Sequence, residues 1–460
     1  MLNNFSRDFC SRILRLASSI AIVLAGSSLS RAETVDLTPS VSRHNQRVKV
    51  VFKVTGNLMS LQKSEGKPDL HPLKAVGNYV YEERVLDADT GRSLRYFEEA
   101  ASDFEVDQRH RRYELREDVR WILVDPEELE NMHVSPTGSL KREELDLVEL
   151  PCGSNLVDLL LPKAEKSPGD SWTHDDKLLA QMFNLDAVTA NDVKSQFAKI
   201  KDGVAYMTLS GNLVGTVEGV ITKVDINGKY NFDIQSSTIY WVAVAIDEDR
   251  EIGASTPGLQ IQAAVRMVRE AMSQPGHVHQ KTIDQFDLEN VQQEAMLEHR
   301  SEAAGFSLVH NRRWHVFSEK PKMTVLRCVD DGRMIAQCNI RSLHPVGGKP
   351  LSMDKFQQDI SMALGDSVRQ IVDSQDSQND AGHQVLRVVA AGTVSDSSIL
   401  WIYYHITHRD GRRISCAFTL GGDDAEQFGG EDMALTGSLQ FLDSDTPVEE
   451  TADASEETLR

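Results

Sequence analysis

The sequence predicts an α+β protein. A large N-terminal antiparallel sheet, curved into a half-barrel with a few helices, precedes a second antiparallel sheet flanked by helices. Three observations lead there. Residues 193–253 read as a β-meander of alternating apolar and polar residues, punctuated by Lys201-Asp202-Gly203 and Asn227-Gly228. Asp87-Ala88-Asp89-Thr90-Gly91 and Asp330-Asp331-Gly332 each separate two strand-like runs, so hairpin signals recur far from the meander. Helical patterning is confined to short stretches, and 460 residues suffice for roughly two to three domains.

The N-terminus reads as a signal peptide over residues 1–32. Arg7, Arg12 and Arg15 form a basic region, residues 16–29 are apolar, and Ser30-Arg31-Ala32 places small residues where signal peptidase reads, so cleavage is expected before Glu33. The apolar run is too short and too serine-rich for a membrane span, so no stable span is expected after cleavage. The whole chain carries a formal charge of −21, and removing the segment's net +3 leaves −24. That balance argues against general affinity for nucleic acid and for anionic lipid. The expected address is export to the periplasm or beyond.

A β-rich domain is expected over 33–272. Residues 48–58 read as a strand, and 78–86 and 93–104 as a hairpin about residues 87–91. Asp87, Asp89 and Glu98 give that turn a superficial calcium-loop look, but the glycine is one place early and no helices flank it, so it reads as a hairpin turn. Residues 109–124 hold a basic island, Arg109, His110, Arg111, Arg112, Arg116 and Arg120. Tyr113, Leu115, Val119 and Trp121 interleave with it, as on a half-buried strand paired to neighbouring acids. Short helices are expected over 140–147 and, capped by Asp175 or Asp176, over 177–185. Residues 257–272 read as an amphipathic helix with Ile261, Val265, Val268 and Met272 on one side.

Within the meander, a type I′ turn at Asn227-Gly228 would set Ile221 opposite Ile234, Lys223 opposite Phe232 and Asp225 opposite Tyr230. One face then carries Leu213, Val217, Ile221, Tyr230, Phe232 and Ile234. These six are the candidate ligand-facing residues, on the side expected to face the core. Residues 273–304 read as a partly helical linker, 305–442 as an α+β domain with a helix capped by Ser352 and a closing helix near Phe428 or Glu431. Residues 443–460, with seven acids and no aromatic residue, read as a disordered tail.

The sequence contains no Gly-x-Ser-x-Gly elbow, Walker loop, dinucleotide fingerprint, His-Glu-x-x-His or Cys-x-x-Cys. No catalytic residue, cofactor or metal ligand is therefore assigned. His277-Val278-His279 reads as linker histidines, the run Asp247-Glu248-Asp249-Arg250-Glu251 as a charged strand end, and Trp401, Tyr403, Tyr404 and His405 as core packing. Cys152, Cys328, Cys338 and Cys416 remain after signal cleavage. Symmetric pairing about Asp331 keeps Cys328 and Cys338 apart, and buried free thiols are expected; if a bridge forms, Cys416 is the partner for either.

The C-terminal region, with Phe306-Ser307-Leu308, Trp314, the Asp330-Asp331-Gly332 hairpin, the Ser352-capped helix, strands over 382–391, 399–406 and 412–420 and a closing helix, resembles the PsbP/Mog-like fold. The resemblance covers about a third of the chain. It implies a curved antiparallel sheet between helices and a non-enzymatic binding or assembly module, and it carries over no functional residue. Residues 48–270, with Pro168-Gly169-Asp170-Ser171-Trp172 before Gly211, Gly215 and Gly219, are similar to uncharacterised exported β-rich domains of bacteria, which implies a half-barrel like the lipoprotein-carrier folds.

The expectation is thus an exported, non-enzymatic envelope protein that binds a protein partner or an apolar small molecule. The alternatives are a hydrolase-type enzyme with a site assembled from distant residues, and a structural component of the envelope.

Overall fold

The computed structural model of the chain describes residues 34–40, 45–61, 68–126, 132–253, 256–289, 295–345 and 351–442. The signal peptide expected over 1–32 and the acidic tail expected over 443–460 lie outside the described residues. The N-terminal lobe comprises, in chain order, β1 (Val35–Asp36), β2 (Gln46–Leu61), β3 (Pro68–Val85), β4 (Ser93–Val106), β5 (Arg109–Glu114), β6 (Trp121–Asp125), β7 (Met132–Val134), β8 (Leu140–Lys141), α1 (Arg142–Val148), β9 (Glu165–Lys166), β10 (Ser171–Thr173), α2 (Asp176–Phe183), β11 (Ala187–Asn191), β12 (Lys194–Lys201), β13 (Val204–Val217), β14 (Val220–Asp233), β15 (Thr238–Arg250) and β16 (Gly258–Ala271).

Thirteen of these strands form one antiparallel sheet, along the path β10-β12-β13-β14-β15-β16-β2-β3-β4-β6-β7, with β11 and β5 pairing from the side. Its length comes from strict alternation. In β14 the even residues Val220, Thr222, Val224, Ile226, Tyr230 and Phe232 are buried while Ile221, Lys223, Asp225, Asn227 and Lys229 are exposed, which is the period of a strand with one solvated face. The first long strand pairs with the last, Val265 opposite Phe52, so the sheet ties together segments about two hundred residues apart. Both ends of the path are strands of three residues, which leaves little edge for another chain to pair with.

The inner face is filled by the chain itself. Leu145, Leu147 and Val148 of α1, Val157 and Leu160 of a single 3-10 turn, and Leu179, Met182 and Phe183 of α2 share one apolar cluster with Val50, Tyr79, Tyr81, Phe97, Met207, Tyr230 and Phe232 from the sheet. Asp175 caps α2 by accepting from the Lys177 amide, as expected. A buried polar latch holds the 3-10 turn to the sheet. The Glu83 carboxylate accepts from Arg95 (2.7 Å), Ser154 (2.7 Å) and Gln46 (2.6 Å), and Arg269 donates to Gln46 and to both oxygens of Asp158. Burial raises the Glu83 carboxyl, but the Arg95 guanidinium and these hydrogen bonds outweigh it and hold the group below its ordinary value.

Two sequence expectations are overturned. Asn227-Gly228 is not a turn: β14 runs through it, and the chain reverses at Glu218-Gly219, where φ is positive at both residues. Gly228 sits on the crowded inner face, where a Cβ would lie 3.1 Å from Val244 and 3.4 Å from Leu209, so its lack of a side chain serves packing. The expected helix over 257–272 is strand β16, with Leu259, Ile261, Ala263, Val265, Met267 and Arg269 inward. Ile261 and Val265 are four apart, a spacing that period-2 alternation satisfies as well as a helix does.

The rest of the chain comprises α3 (Gln280–Ile283), β17 (Leu297–Ser301), β18 (Phe306–His310), β19 (Trp314–Lys320), β20 (Met323–Asp330), β21 (Arg333–Leu343), α4 (Met353–Leu364), β22 (Val368–Gln378), β23 (Gln384–Val394), β24 (Ser397–Thr407), β25 (Arg413–Gly421), α5 (Ala425–Phe428), α6 (Glu431–Gly437) and β26 (Gln440–Phe441). Seven strands form an antiparallel sheet in the order β19-β20-β21-β25-β24-β23-β22. Phe356 and Ile360 of α4 cover one face, over Leu386, Val388 and Trp401; Phe428 and Leu435 cover the other, over Cys338, Ile402 and Phe418. Ser352 caps α4, and Cys152, Cys328, Cys338 and Cys416 are buried free thiols.

The segment expected as a partly helical linker holds α3 and packs on the first lobe. Its residues 276 and 277 donate backbone amides to Glu82, His277 stacks on Tyr96, and Val278 and Leu288 pack on Leu94, Leu123, Met132 and Val134. Strand β17 then pairs in parallel with β8 of the first lobe and antiparallel with β18 of the second, so a four-stranded sheet, β26-β18-β17-β8, joins the two. Among the described residues no helix is long and apolar enough to cross a membrane.

Candidate functional site

The six candidate ligand-facing residues do not share one open surface. Leu213, Tyr230 and Phe232 are buried in the inner core, with Val217 and Ile234 packed against it. Ile221 points to the opposite, solvated face and is 47% exposed. The reason is parity: without a turn at Asn227-Gly228, odd and even residues of β14 keep their faces along its whole length. The inner face is thus committed to the chain's own helices.

An open depression lies on the outer face instead. A groove of about 710 Å³ crosses β13, β14, β15, β16 and β2. One wall is the hydrogen-bonded row Asn212, Asp225, Asp247, Gln262 and Thr55; the other is Val214, Lys223, Asp249 and Gln260. Between them runs the backbone of Leu213, Val224, Glu248 and Ile261, whose side chains turn inward, and of Gly56. Every wall residue except Val214 is exposed. The run Asp247–Glu251 is therefore split by alternation. Asp247 and Asp249 line the groove, while Glu248 and Arg250 face inward as an ion pair at 2.6 Å. Amides, carboxylates and one lysine give the groove hydrogen-bonding capacity and a net negative charge, a surface for a polar or cationic partner.

A second cluster sits where the lobes meet. Arg142 of α1 donates to the carbonyl oxygens of Arg312 and Trp314, and Arg312 donates to those of His133 and Ala295 and lies 3.5 Å from Glu149. Each lobe thus caps backbone of the other with an arginine. His315 of the second lobe approaches Glu218 of the first at 3.7 Å. The Glu218-Gly219 turn meets the Asp331-Gly332 turn so closely that a Cβ on Gly219 would lie 2.4 Å from the Asp331 carbonyl carbon. Asp146 is open to solvent yet ringed by protein, and its carboxyl is pushed up to about 6, chiefly by burial and then by Glu218 and Glu143 against Arg142. Burial lifts Glu149 to about 7 against Arg312. His310 and His315 are pushed down to about 4, by burial first and Arg142 next. The sequence carried no signal for this cluster, because its members are far apart in the chain.

The other singled-out groups are structural. His279 caps α3, His277 is stacked, and Trp401 and Tyr403 pack beneath α4 while Tyr404 faces the other core. In the basic island Arg112 pairs with Asp103 and Glu114, and Arg116 with Glu144 and Glu298. Among the described residues no group of three His, Cys, Asp or Glu side chains is placed to hold a metal ion.

No protein-family model matches the chain, and no curated protein matches it in sequence. Solved structures similar to part of it include one from Bacteroides thetaiotaomicron, at 12% identity and TM-score 0.24 over 32% of this chain and 48% of that one. They also include the cyanobacterial PsbP of Synechocystis, at 14% identity and TM-score 0.26 over 32% of this chain and 92% of that one. A third is the yeast Ran-binding protein Mog1p, at 7% identity and TM-score 0.25 over 32% of this chain and 96% of that one. The chain spans about half the length of the Bacteroides structure. No comparison supports the resemblance of residues 48–270 to exported bacterial β-rich domains.

Proposed function

We propose that this is an exported, non-enzymatic assembly protein that holds a protein partner on the outer face of its N-terminal sheet, with residues 305–442 as a PsbP/Mog-like module. One observation carries this reading. The inner face, where an apolar ligand would sit, is occupied by α1, α2 and the 3-10 turn, whereas the groove crosses five strands in the open. A shallow groove of that breadth, its mostly apolar surface rimmed by acidic and amide side chains, suits a macromolecular surface. The test is a photo-cross-linking residue in place of Gln262, with the same residue at Val372 as a control on the second lobe. A discrete protein adduct from position 262 alone is expected. No adduct, or equal adducts from both, would refute the reading.

A second reading, a hydrolase-type enzyme, is favoured by one feature: at the lobe junction the carboxyls of Asp146 and Glu149 are raised to about 6 and about 7, and Glu218, which helps to raise Asp146, lies 3.7 Å from His315. It predicts a turnover lost on Asp146→Asn with the fold intact.

A further inference from the structure

One end of the second sheet carries cations without counter-ions. Lys322 precedes β20, Arg341 lies near the end of β21, Arg413 opens β25, and Arg409 stands in the turn between β24 and β25. The four belong to successive strands, β20-β21-β25-β24. Among the described residues none of them forms an ion pair, and Arg413 is met by the carbonyl oxygen of His344, at 2.6 Å. The carboxylates of this end are already bound or stand to the side. Asp410 is held by Arg412 and His408, and Glu302 by Arg300. Glu319 is beside Lys320 on the edge strand β19, Asp376 and Asp380 lie toward the other edge at β22, and Asp354 is in the first turn of α4.

Residues 441 and 442 are fastened among these cations. Leu442 donates its amide to the Gly305 carbonyl oxygen at 3.0 Å, and its own carbonyl oxygen accepts from Arg412. The Phe441 ring lies 5.5 Å from the Arg412 guanidinium and is flanked by the rings of His383 and His408, at 5.0 and 5.3 Å. A short relay ties Lys322 to the same point. Its carbonyl oxygen accepts from the Ser342 amide, and the Ser342 hydroxyl donates to Ala304, next to Gly305. The local field is cationic: His383 is pushed down by burial first, then by His408, Arg412 and Arg409 against Asp410 alone.

Residues 443–460, which follow, hold seven carboxylates and one arginine. Asp443 and Asp445 come one and three residues after Leu442, so the chain keeps them within about 11 Å of it. Four strands are crossed in about 15 Å, a span the remaining acids cover easily. Tethered carboxylates meet these cations at an effective concentration of about millimolar or more. We propose that the acidic segment 443–460 binds back across this end of the second sheet and supplies the counter-ions that Lys322, Arg341, Arg409 and Arg413 lack. Each exposed pair is weak, so the strap is held by several and loosens in salt. An acidic partner reaches these cations only by displacing it. The inference is independent of the outer face of the first sheet.

The test is zero-length carbodiimide coupling of the full chain, which joins a carboxylate to the Lys322 amine only where the two touch. An equal mixture of isotopically heavy and light protein separates links within a chain from links between chains. Peptides joining Lys322 to residues 443–460 within one chain are expected at low salt, and should fall about fivefold or more in about 0.5 M salt. The second readout is the NMR titration of His383 in Asp443→Asn/Asp445→Asn. Removing two nearby carboxylates should lower its midpoint by about half a pH unit at low salt, and the difference should vanish at high salt. The proposal is overturned if Lys322 gains no link to the segment, if the links form only between chains or equally to Lys53 and Lys74 of the first lobe, or if the His383 midpoint ignores the substitutions.

Discussion

At the residue scale, the stabilising features are buried charges whose partners come from far along the chain. Asp432 of α6 is fully buried and accepts from Tyr404 at 2.6 Å and Arg387 at 2.8 Å, which binds the last helix to the second sheet. Asp432→Ala would take the Tyr404 hydroxyl's acceptor and one of the two carboxylates that pair with Arg387, leaving it Asp373, at a cost of about 1.5–3 kcal/mol. Chemical denaturation should show that loss in the second lobe, and a change under about 1 kcal/mol would contradict it. None of this was legible in the sequence, because a lone Asp on a short helix carries no mark of burial. The cap residues Asp175 and Ser352 were legible, since a cap bonds backbone two or three residues away and needs no tertiary partner.

Among the elements, strands were legible and their faces were not. The turns Asp202-Gly203 and Asp331-Gly332 stand where the sequence placed them. Asn227-Gly228, a stronger turn signal by composition, was overridden because pairing with β13 along fourteen residues and with β15 along twelve outweighs one local preference. Placing the turn there reads residues 213–226 as one strand of a single parity, and so Ile221, which lies beyond the true reversal at Glu218-Gly219, was sent inward along with Leu213 and Val217. Two substitutions separate the registers. Ile221→Lys should change stability by no more than about 0.5 kcal/mol, as for an exposed site, whereas Phe232→Ala should cost about 3–5 kcal/mol. Were the strand instead to reverse at Asn227-Gly228, both residues would face inward and the lysine would be as damaging as the alanine, which urea unfolding of the two variants would show. Charged outward rows such as Lys223 and Asp225 beside Asp247 and Asp249 could have pointed to the groove, had the alternation been carried through the whole strand.

For the whole molecule, the junction couples the two lobes to pH. Asp146 and Glu149 have carboxyls raised above their ordinary values, to about 6 and about 7, so the folded state holds protons that the unfolded chain has released. Their contribution is fully present below about pH 4 and is lost as pH rises through 6 and 7. His310 and His315, lowered to about 4, act in the opposite sense: their contribution is present above about 6.5 and lost as pH falls through 4. His133, Glu218, Arg142 and Arg312 complete the charged surroundings. Relative to wild type, Asp146→Asn/Glu149→Gln should therefore gain in melting temperature as pH rises from 5 to 8. A difference between the two proteins that is flat across that range would show the carboxyls to be ordinary.

The claim with the widest reach is that the outer face of the first sheet, not its filled inner face, is the working surface. Native mass spectrometry of the protein, purified gently from the cells that make it, tests it most directly. The account predicts a protein-sized association that disappears in the Asp247→Lys/Asp249→Lys variant and carries no lipid-sized mass. A stoichiometric lipid-sized adduct that survives in that variant would contradict it, and would mean that the inner face opens to a ligand after all.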